Sequence, residues 1–492
     1  MESYKAFVRN NRKVLVGHVL IYAQGLILMP LIIKTVGVSV YGGYILVMTM
    51  LGVVYGISSF GVGFKSGRFL PAAEGRDVRR DLFYPQFCFQ CLSIAALALA
   101  VIVFYPLLEM LFFKGELVFS KWLVFPYLFS YLLFSQATGY FVATHRVSYF
   151  MFATVAFPYL NIALIVLTYL LTCRISVNIL FFTHILSYLL PTIPMAWVLI
   201  REIGLNIPPL KMGELAEDAR LGFPLRVNYI MDFLLSSSDR YLITYFMTVA
   251  AVGHYSPGYA LGSLLLFFPR VSGIVLPPLL SKAIDEGKDA EAFTMLNYTV
   301  KGYLLLGFPF VAGAAVMSRS LLRLFANAEV AQQAYLVTPI VALATVFFGL
   351  NIILSNALMV RMKTSVLLRM NAFAAVINIA LNVIFLAIFK NVLVAAVTTL
   401  VGYAAAFIFI RRAVGAEWPL RFEYGAISKS MAASILMGVV LHGISTRLGT
   451  MASGIWPMLG QALVGVVVYS LALLAMKTFS EKEWSYVKKA FA

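Results

Sequence analysis

Charged residues are scarce in this chain. Of its 492 residues, 12% are Asp, Glu, Lys or Arg and 61% are hydrophobic. Soluble domains average about 25% charged and about 45–50% apolar residues, because a soluble fold needs a polar surface to cover its core. The composition excludes a soluble globular protein and predicts an all-α integral membrane protein.

The chain also has little of what metal sites and catalytic centres require. Its three cysteines include a CxxC pair, Cys88 and Cys91, but this pair lies in an apolar segment, where thiols pack as small apolar side chains. The five histidines are scattered, no nucleophile–base set is present, and no phosphate loop GxxxxGK[ST] occurs. We therefore expect no metal, no cofactor and no enzymatic activity. Any energy that the protein uses is therefore expected to come from ions or from the gradient of a substrate, not from ATP hydrolysed on this chain.

The net charge of +17 does not indicate nucleic-acid binding. Lys and Arg occur in short clusters between apolar runs rather than on one basic face, a pattern that is typical of cytoplasmic loops. Fourteen membrane spans are predicted. They lie near residues 13–34, 40–62, 83–106, 119–143, 148–172, 177–200, 221–247, 253–281, 297–317, 333–360, 365–388, 391–411, 427–447 and 455–477.

The distribution of basic residues predicts the orientation of these spans. With both termini in the cytoplasm, roughly 27 Lys and Arg lie on the cytoplasmic side and roughly 8 on the other. An even number of spans preserves this asymmetry. The first span has no cleavage site, so we expect it to remain as a helix. Pro85 is expected to break the third span.

A weak internal repeat predicts two lobes. The segment that begins at Val40 (VYGGYILV) resembles the one that begins at His254 (HYSPGYAL), and Glu-Gly loops follow at Glu74 and Glu286. The offset of about 212 residues, or six spans, makes the halves parallel repeats with a cavity between them near the membrane midplane. The predicted organisation is an N-terminal six-helix lobe (1–200), a cytoplasmic linker ending in a short amphipathic helix (201–220), a second six-helix lobe (221–412), and two extra helices with a basic tail (413–492).

Residues 221–287 carry full charges inside two spans, which a turn near residues 250–254 is expected to join. Asp232, Asp239 and Arg240 lie in the first of these spans and Arg270 in the second. An ion at membrane depth is unfavourable by at least ~2.5–3.5 kcal/mol and therefore faces a wet cavity or a partner. Counting residues from the span ends gives Asp232 and Arg270 a similar depth. The pair could bind substrate or simply lock the hairpin, and the sequence leaves both open.

Other polar residues share helix faces. Asn228, Asp232, Ser236 and Asp239 recur at helical spacing along one face of the seventh span. Further candidates to line the cavity are His18, Gln24, Asn371, Asn378 and Asn382. Each could instead hold membrane helices together through hydrogen bonds.

Three segments carry a resemblance to a known family: LGFPLRVNYIMDFLLSSSDRYLITYF, AAVGHYSPGYALGSLL and LPPLLSKAIDEG, from Leu221 to Gly287. They resemble the seventh and eighth helices of Wzx-type polysaccharide transport proteins. These are lipid-linked oligosaccharide flippases of the multidrug/oligosaccharidyl-lipid/polysaccharide exporter superfamily. The opening hairpin, VGVSVYGGYILV, is similar to the same family.

The resemblance implies a V-shaped, two-lobe fold that moves an undecaprenyl-pyrophosphate-linked oligosaccharide across the bacterial inner membrane by ion-coupled alternating access. Arg270, with Arg240 and Arg226, would bind the pyrophosphate, and Asp232 or Asp239 would take up a coupling cation, either a proton or sodium. We expect a monomer that works with a polysaccharide polymerase and glycosyltransferases. The alternative is a cation-coupled multidrug-type exporter of the same fold.

Overall fold

A computed structural model describes residues 20–21, 23–116, 119–448 and 454–479, together with Gly17. Within these ranges the chain is helical and has no strand, which confirms the all-α prediction. Helices satisfy every backbone polar group within one segment, as hydrocarbon requires. The His18 position falls outside the described residues.

The helices are numbered in chain order. They are α1 Ala23–Val36, α2 Val38–Ile57, α3 Phe64–Phe69, α4 Arg76–Val103, α5 Tyr105–Leu108, α6 Val124–Ala143, α7 Val147–Thr172, α8 Val177–Ile203, α9 Met212–Phe246, α10 Val249–Gly262, α11 Phe267–Asp285, α12 Asp289–Phe325, α13 Ala328–Ala334, α14 Val337–Val360, α15 Thr364–Phe389, α16 Val392–Gly415, α17 Tyr424–Leu448 and α18 Ile455–Ala475.

In the described part of the chain, eleven helical segments are long and apolar enough to cross a membrane, with α10 and α11 counted as one. The three other predicted spans, the first, fourth and seventh, coincide with α1, α6 and α9. Helix α1 is shorter in the described ranges, and α9 carries several charges. The chain is a multi-pass membrane protein.

Packing divides the chain into two compact units, residues 1–253 and 254–492. In the N-terminal unit, α8 packs against α6 and α7, and α2 packs against α9. A fully or largely buried set of aromatic rings fills the space between α6, α7 and α8, including Phe157 stacked on Tyr188 at 4.2 Å between ring centroids. The predicted lobes rest on the sequence repeat rather than on packing, and their bounds stay predictions.

In the C-terminal unit, α14 is the central helix and packs against α11, α12 and α16. Small residues permit close packing of α14 against the end of α10. A Cβ added at Gly262 of α10 would lie 2.6 Å from the backbone oxygen of Thr338 of α14. Tyr303 donates to the Thr345 carbonyl at 2.6 Å. The extra helices attach to α12, where the Tyr469 hydroxyl of α18 donates to the Leu305 carbonyl at 2.6 Å.

Three sequence expectations about helix boundaries need correction. The turn between the seventh and eighth spans lies at residues 247–248, before the predicted 250–254, and α10 begins at Val249. The Glu116 carboxylate, far away in sequence, accepts a hydrogen bond from the Val249 N–H at 2.9 Å and so satisfies this helix start. Pro85 does not break the third span but lies inside continuous α4. The end of the predicted linker is helical, as expected, but it is continuous with α9.

Candidate functional site

The polar residues predicted to share one face of α9 differ in burial. Asn228, Asp232 and Ser236 are half-buried, and Asp239 is buried, with 2% of its surface exposed. Ile230 and Leu234, on the opposite side of this 35-residue helix, are also half-buried. That the polar face lines a cavity therefore stays a prediction.

Asp239 and Arg240 form an ion pair on α9. The distance from Arg240 Nη1 to Asp239 Oδ1 is 3.3 Å, and the Arg240 backbone N–H donates to the same oxygen at 2.9 Å. Arg240 Nη1 also donates to the Ser236 carbonyl at 3.1 Å. Because its side chain is only 13% exposed, this guanidinium belongs to a largely desolvated local network, in which charge-assisted hydrogen bonds are strong.

The two other predicted cations differ in exposure. Arg226 on α9 is half-buried, whereas Arg270 on α11 is exposed. The Arg270 side chain lies outside the packed interior of the C-terminal unit, and its predicted position beside a wet cavity or a partner stays a prediction. Asp232 and Arg270 lie in different units, and their pairing stays a prediction.

The asparagines of α15 are in the packed interior of the C-terminal unit. Asn378 and Asn382 have no exposed surface, and Asn371 is 8% exposed. Asn382 Nδ2 donates to the Asn378 carbonyl at 3.0 Å, and Asn378 packs close to Gly402 of α16. This burial favours the helix-packing role over cavity lining. Gln24 on α1 is half-buried.

Asp218 is a structural residue that the sequence reasoning missed. Its carboxylate accepts from the backbone N–H groups of Gly63 and Lys65, each at 2.7 Å, and the residue is 6% exposed. It therefore ties α9 to Gly63 at the end of the loop after α2 and to Lys65 in the first turn of α3. The loop approaches α9 so closely that a Cβ added at Gly222 would lie 2.1 Å from the Gly61 carbonyl oxygen. A spacing signal could not reveal this contact, because the two segments are far apart in sequence.

An exposed ion pair lies beside the Asp218 contact. Lys65 Nζ is 2.6 Å from Glu217 Oε2. This hydrogen bond lowers the pKa of the Glu217 carboxyl below its ordinary value, and the same hydrogen bond raises the pKa of the Lys65 ammonium. Both groups therefore remain charged over the physiological pH range.

A buried histidine in the N-terminal unit was also missed. His184 on α8 is 2% exposed, and its Nδ1 is 2.9 Å from the Leu180 carbonyl oxygen. A carbonyl only accepts, so Nδ1 carries a hydrogen. On the other side of the ring, Nε2 is 3.2 Å from the Tyr44 hydroxyl oxygen. This hydrogen bond links α2 to α8. The spacing of residues along the sequence does not predict this contact, because Tyr44 and His184 lie far apart in the chain.

A cavity of about 210 Å³ lies near the start of α9, within the N-terminal unit. The first turns of α4 form part of its wall, and the segment before α9 forms another part. Among the described residues, no group of three or more His, Cys, Asp or Glu could hold a metal ion.

Comparison with known proteins supports the predicted resemblance. A sequence model of the MatE family matches residues 224–384. A probable low-salt glycan biosynthesis flippase, Agl15 of Haloferax volcanii, is 22% identical over 223 residues, which is 45% of this chain and 47% of that protein. The chain thus matches about half the length of this curated relative.

Solved structures show the fold over a larger part of the chain. The lipid II flippase MurJ, in an inward closed conformation, superimposes with a TM-score of 0.71 at 16% identity and covers 94% of this chain and 98% of its own. An inward-facing multidrug resistance MATE transporter superimposes with a TM-score of 0.65 at 15% identity, covering 81% and 95%. The predicted resemblance to flippases and exporters of this superfamily is confirmed: the chain is similar to them in sequence and has their helical transporter fold.

Proposed function

We propose that this protein is a flippase that moves an undecaprenyl-pyrophosphate-linked oligosaccharide from the inner to the outer leaflet by ion-coupled alternating access. The observation that carries the proposal is the presence of ionisable residues with little exposure on α9, the half-buried Asp232 and Arg240 and the buried Asp239, within a helical transporter fold. A passive helical bundle has no use for groups that are so unfavourable in hydrocarbon. The similarity to a glycan biosynthesis flippase favours a glycan substrate.

On this proposal, the cationic residues and the acidic residues have separate roles. Arg270 is exposed and is the group best able to meet an incoming pyrophosphate through its bidentate guanidinium. Arg226 and Arg240 assist it. Asp232 or Asp239 takes up the coupling proton or sodium ion when substrate is released.

The proposal also states where the protein lies in the cell and which enzymes act with it. The protein is a monomer in the bacterial inner membrane with both termini in the cytoplasm. Its lobes are at 1–200 and 221–412, and glycosyltransferases and a polymerase act before and after it. A gene neighbourhood that encodes these enzymes would support the glycan assignment.

The test is transport of a labelled undecaprenyl-pyrophosphate oligosaccharide across proteoliposome membranes. Arg270→Ala should slow transport at least about tenfold, because it removes a charge-assisted hydrogen bond to phosphate. Arg319→Ala removes an exposed arginine from α12 and should leave the rate unchanged. Wild-type transport by the Arg270 variant would refute the pyrophosphate role.

The matches to MATE transporters favour a second candidate, a cation-coupled exporter of small molecules. In that case Asp239→Asn would abolish resistance of cells to cationic drugs and leave surface glycan intact. The flippase proposal predicts the opposite: glycan export is lost and drug resistance is unchanged.

A further inference from the structure

The cavity near the start of α9, within the N-terminal unit, is lined by polar groups on two sides. Asp81 and Gln86 of α4 line one wall, and Pro208, Lys211 and Glu214 line the other. Its volume of about 210 Å³ is below the ~300–1,000 Å³ typical of sites for drug-sized ligands. It suits a single small polar ring.

The charges of the lining disfavour phosphate. Two lysines, Lys65 and Lys211, face three carboxylates, Asp81, Glu214 and Asp218, so the lining is negative by one charge. Lys211 Nζ is also held by Glu214 at 2.9 Å. A pyrophosphate would meet repulsion here.

A metal cation is also disfavoured. In the part of the chain that the structure describes, no three His, Cys, Asp or Glu side chains are grouped closely enough to coordinate one. The Asp218 carboxylate is already engaged by two backbone N–H groups. The lining side chains include both donors and acceptors of hydrogen bonds, and this mixture suits a ligand that carries several hydroxyl groups.

Three glutamine amides extend from this cavity into the unit, between α4 and α6. Gln86 lines the cavity, and its Nε2 donates to Gln136 Oε1 at 3.5 Å. Gln136 Nε2 in turn donates to Gln90 Oε1, and Gln90 is 8% exposed. Each glutamine amide has both donor and acceptor groups. A glutamine of this chain of three can therefore give up its hydrogen bond to a neighbouring glutamine and form one to a ligand hydroxyl.

We propose that this cavity binds one sugar ring of the lipid-linked glycan, with Gln86, Asp81 and Glu214 hydrogen-bonded to its hydroxyl groups. The inference rests on the proposed flippase function and adds where the sugar is recognised. The loop after α2 and the segment before α9 are both predicted to be cytoplasmic, which is the side on which the glycan is assembled. The sugar and the pyrophosphate are therefore bound by different residues.

The test compares two ligands on the purified full chain: undecaprenyl pyrophosphate, and the lipid-linked oligosaccharide extracted from host membranes. Gln86→Leu should weaken binding of the glycosylated lipid about tenfold, because it removes a hydrogen bond to a sugar hydroxyl. Asp81→Asn should weaken it several-fold, because a charge-assisted hydrogen bond to a hydroxyl becomes a neutral one. Binding of undecaprenyl pyrophosphate should not change. The midpoint of thermal unfolding checks that each variant is folded, and the nearly isosteric, exposed Asp81→Asn is the second variant if Gln86→Leu does not fold.

Gln461→Leu is the matched control, because it removes a buried amide from α18 and should leave both affinities unchanged. Equal weakening of both lipids, or no change in either, would overturn the sugar site while leaving the flippase function in place. A wild-type protein that neither binds nor transports the glycosylated lipid would overturn both.

Discussion

At the scale of single residues, the side chains with the clearest physical roles are those that satisfy backbone groups. Asp218 is the strongest case, since its two oxygens accept hydrogen bonds from the backbone N–H groups of Gly63, just before α3, and of Lys65, in the first turn of α3. The charged residues of the membrane helices carry the proposed transport function, whereas Asp218 holds the helices that position them.

Replacement of Asp218 by Ala should destabilise the protein by about 2–4 kcal/mol, since two largely buried N–H groups would lose their acceptor. The midpoint of thermal unfolding in detergent measures this. Asp285→Ala, which removes an exposed carboxylate, should change stability by less than about 0.5 kcal/mol. An Asp218 variant as stable as this control would contradict the assigned role.

The Lys65–Glu217 pair gives a prediction about pH. Glu217, with a lowered pKa, contributes stability above its unfolded pKa and loses it as the pH falls through the folded value. Lys65, with a raised pKa, contributes below its unfolded pKa and loses it as the pH rises through the folded value. The pair therefore acts from about pH 5 to about pH 10.

Glu217→Gln should lower the unfolding midpoint slightly at pH 7, since exposed pairs contribute little. The difference from wild type should disappear near pH 3, and also in about 1 M salt, where the Debye length is about 3 Å. A difference that is equal at all pH values would show that the hydrogen bond, rather than the charge, is responsible.

At the scale of helices, the contact between α9 and the loop after α2 depends on the absence of side chains. A Cβ at Gly222 would lie 2.1 Å from a backbone oxygen, which cannot move aside as a flexible side chain can, whereas Gly213 on the same helix has open space around it. The two glycines therefore form a matched pair for testing the contact.

Gly222→Ala should destabilise the protein by about 1–3 kcal/mol through overpacking. Gly213→Ala should instead stabilise it by up to about 1 kcal/mol, because alanine favours helix. Thermal unfolding of the two variants measures both effects. If both variants were stabilised, α9 and the loop would be separated in solution.

At the scale of the whole molecule, the orientation of the spans can be tested with the natural cysteines. Cys173 is exposed at the end of α7, on the side predicted to face away from the cytoplasm. Cys88 and Cys91 are half-buried within α4 and should react slowly.

A membrane-impermeant maleimide should label the wild-type protein in spheroplasts, and Cys173→Ser should abolish this labelling. In the Cys173→Ser background, Lys363→Cys, between α14 and α15, should react only after the membrane is permeabilised. The reverse pattern would invert the topology and with it the direction of transport.

The sequence by itself determined the class of protein and the positions of the spans. These follow from a local property, the length of apolar segments against the thickness of a bilayer. Helical spacing also puts Asn228, Asp232, Ser236 and Asp239 on one face of α9, since side-chain direction in a helix depends on spacing, and the role of that face stays a prediction.

Only the tertiary structure decided which polar groups are satisfied and by what. The Glu116 carboxylate binds the start of α10, the Asp218 carboxylate binds the loop after α2, and the Tyr44 hydroxyl is hydrogen-bonded to His184. Each of these contacts joins residues that are more than a hundred positions apart in the sequence. A hydrogen bond requires its two groups to lie within a few ångströms of each other in space. The spacing of residues along the sequence therefore does not show which distant groups are paired. For the same reason the exposure of Arg270 and the burial of Asn378 could be read only from the packed helices.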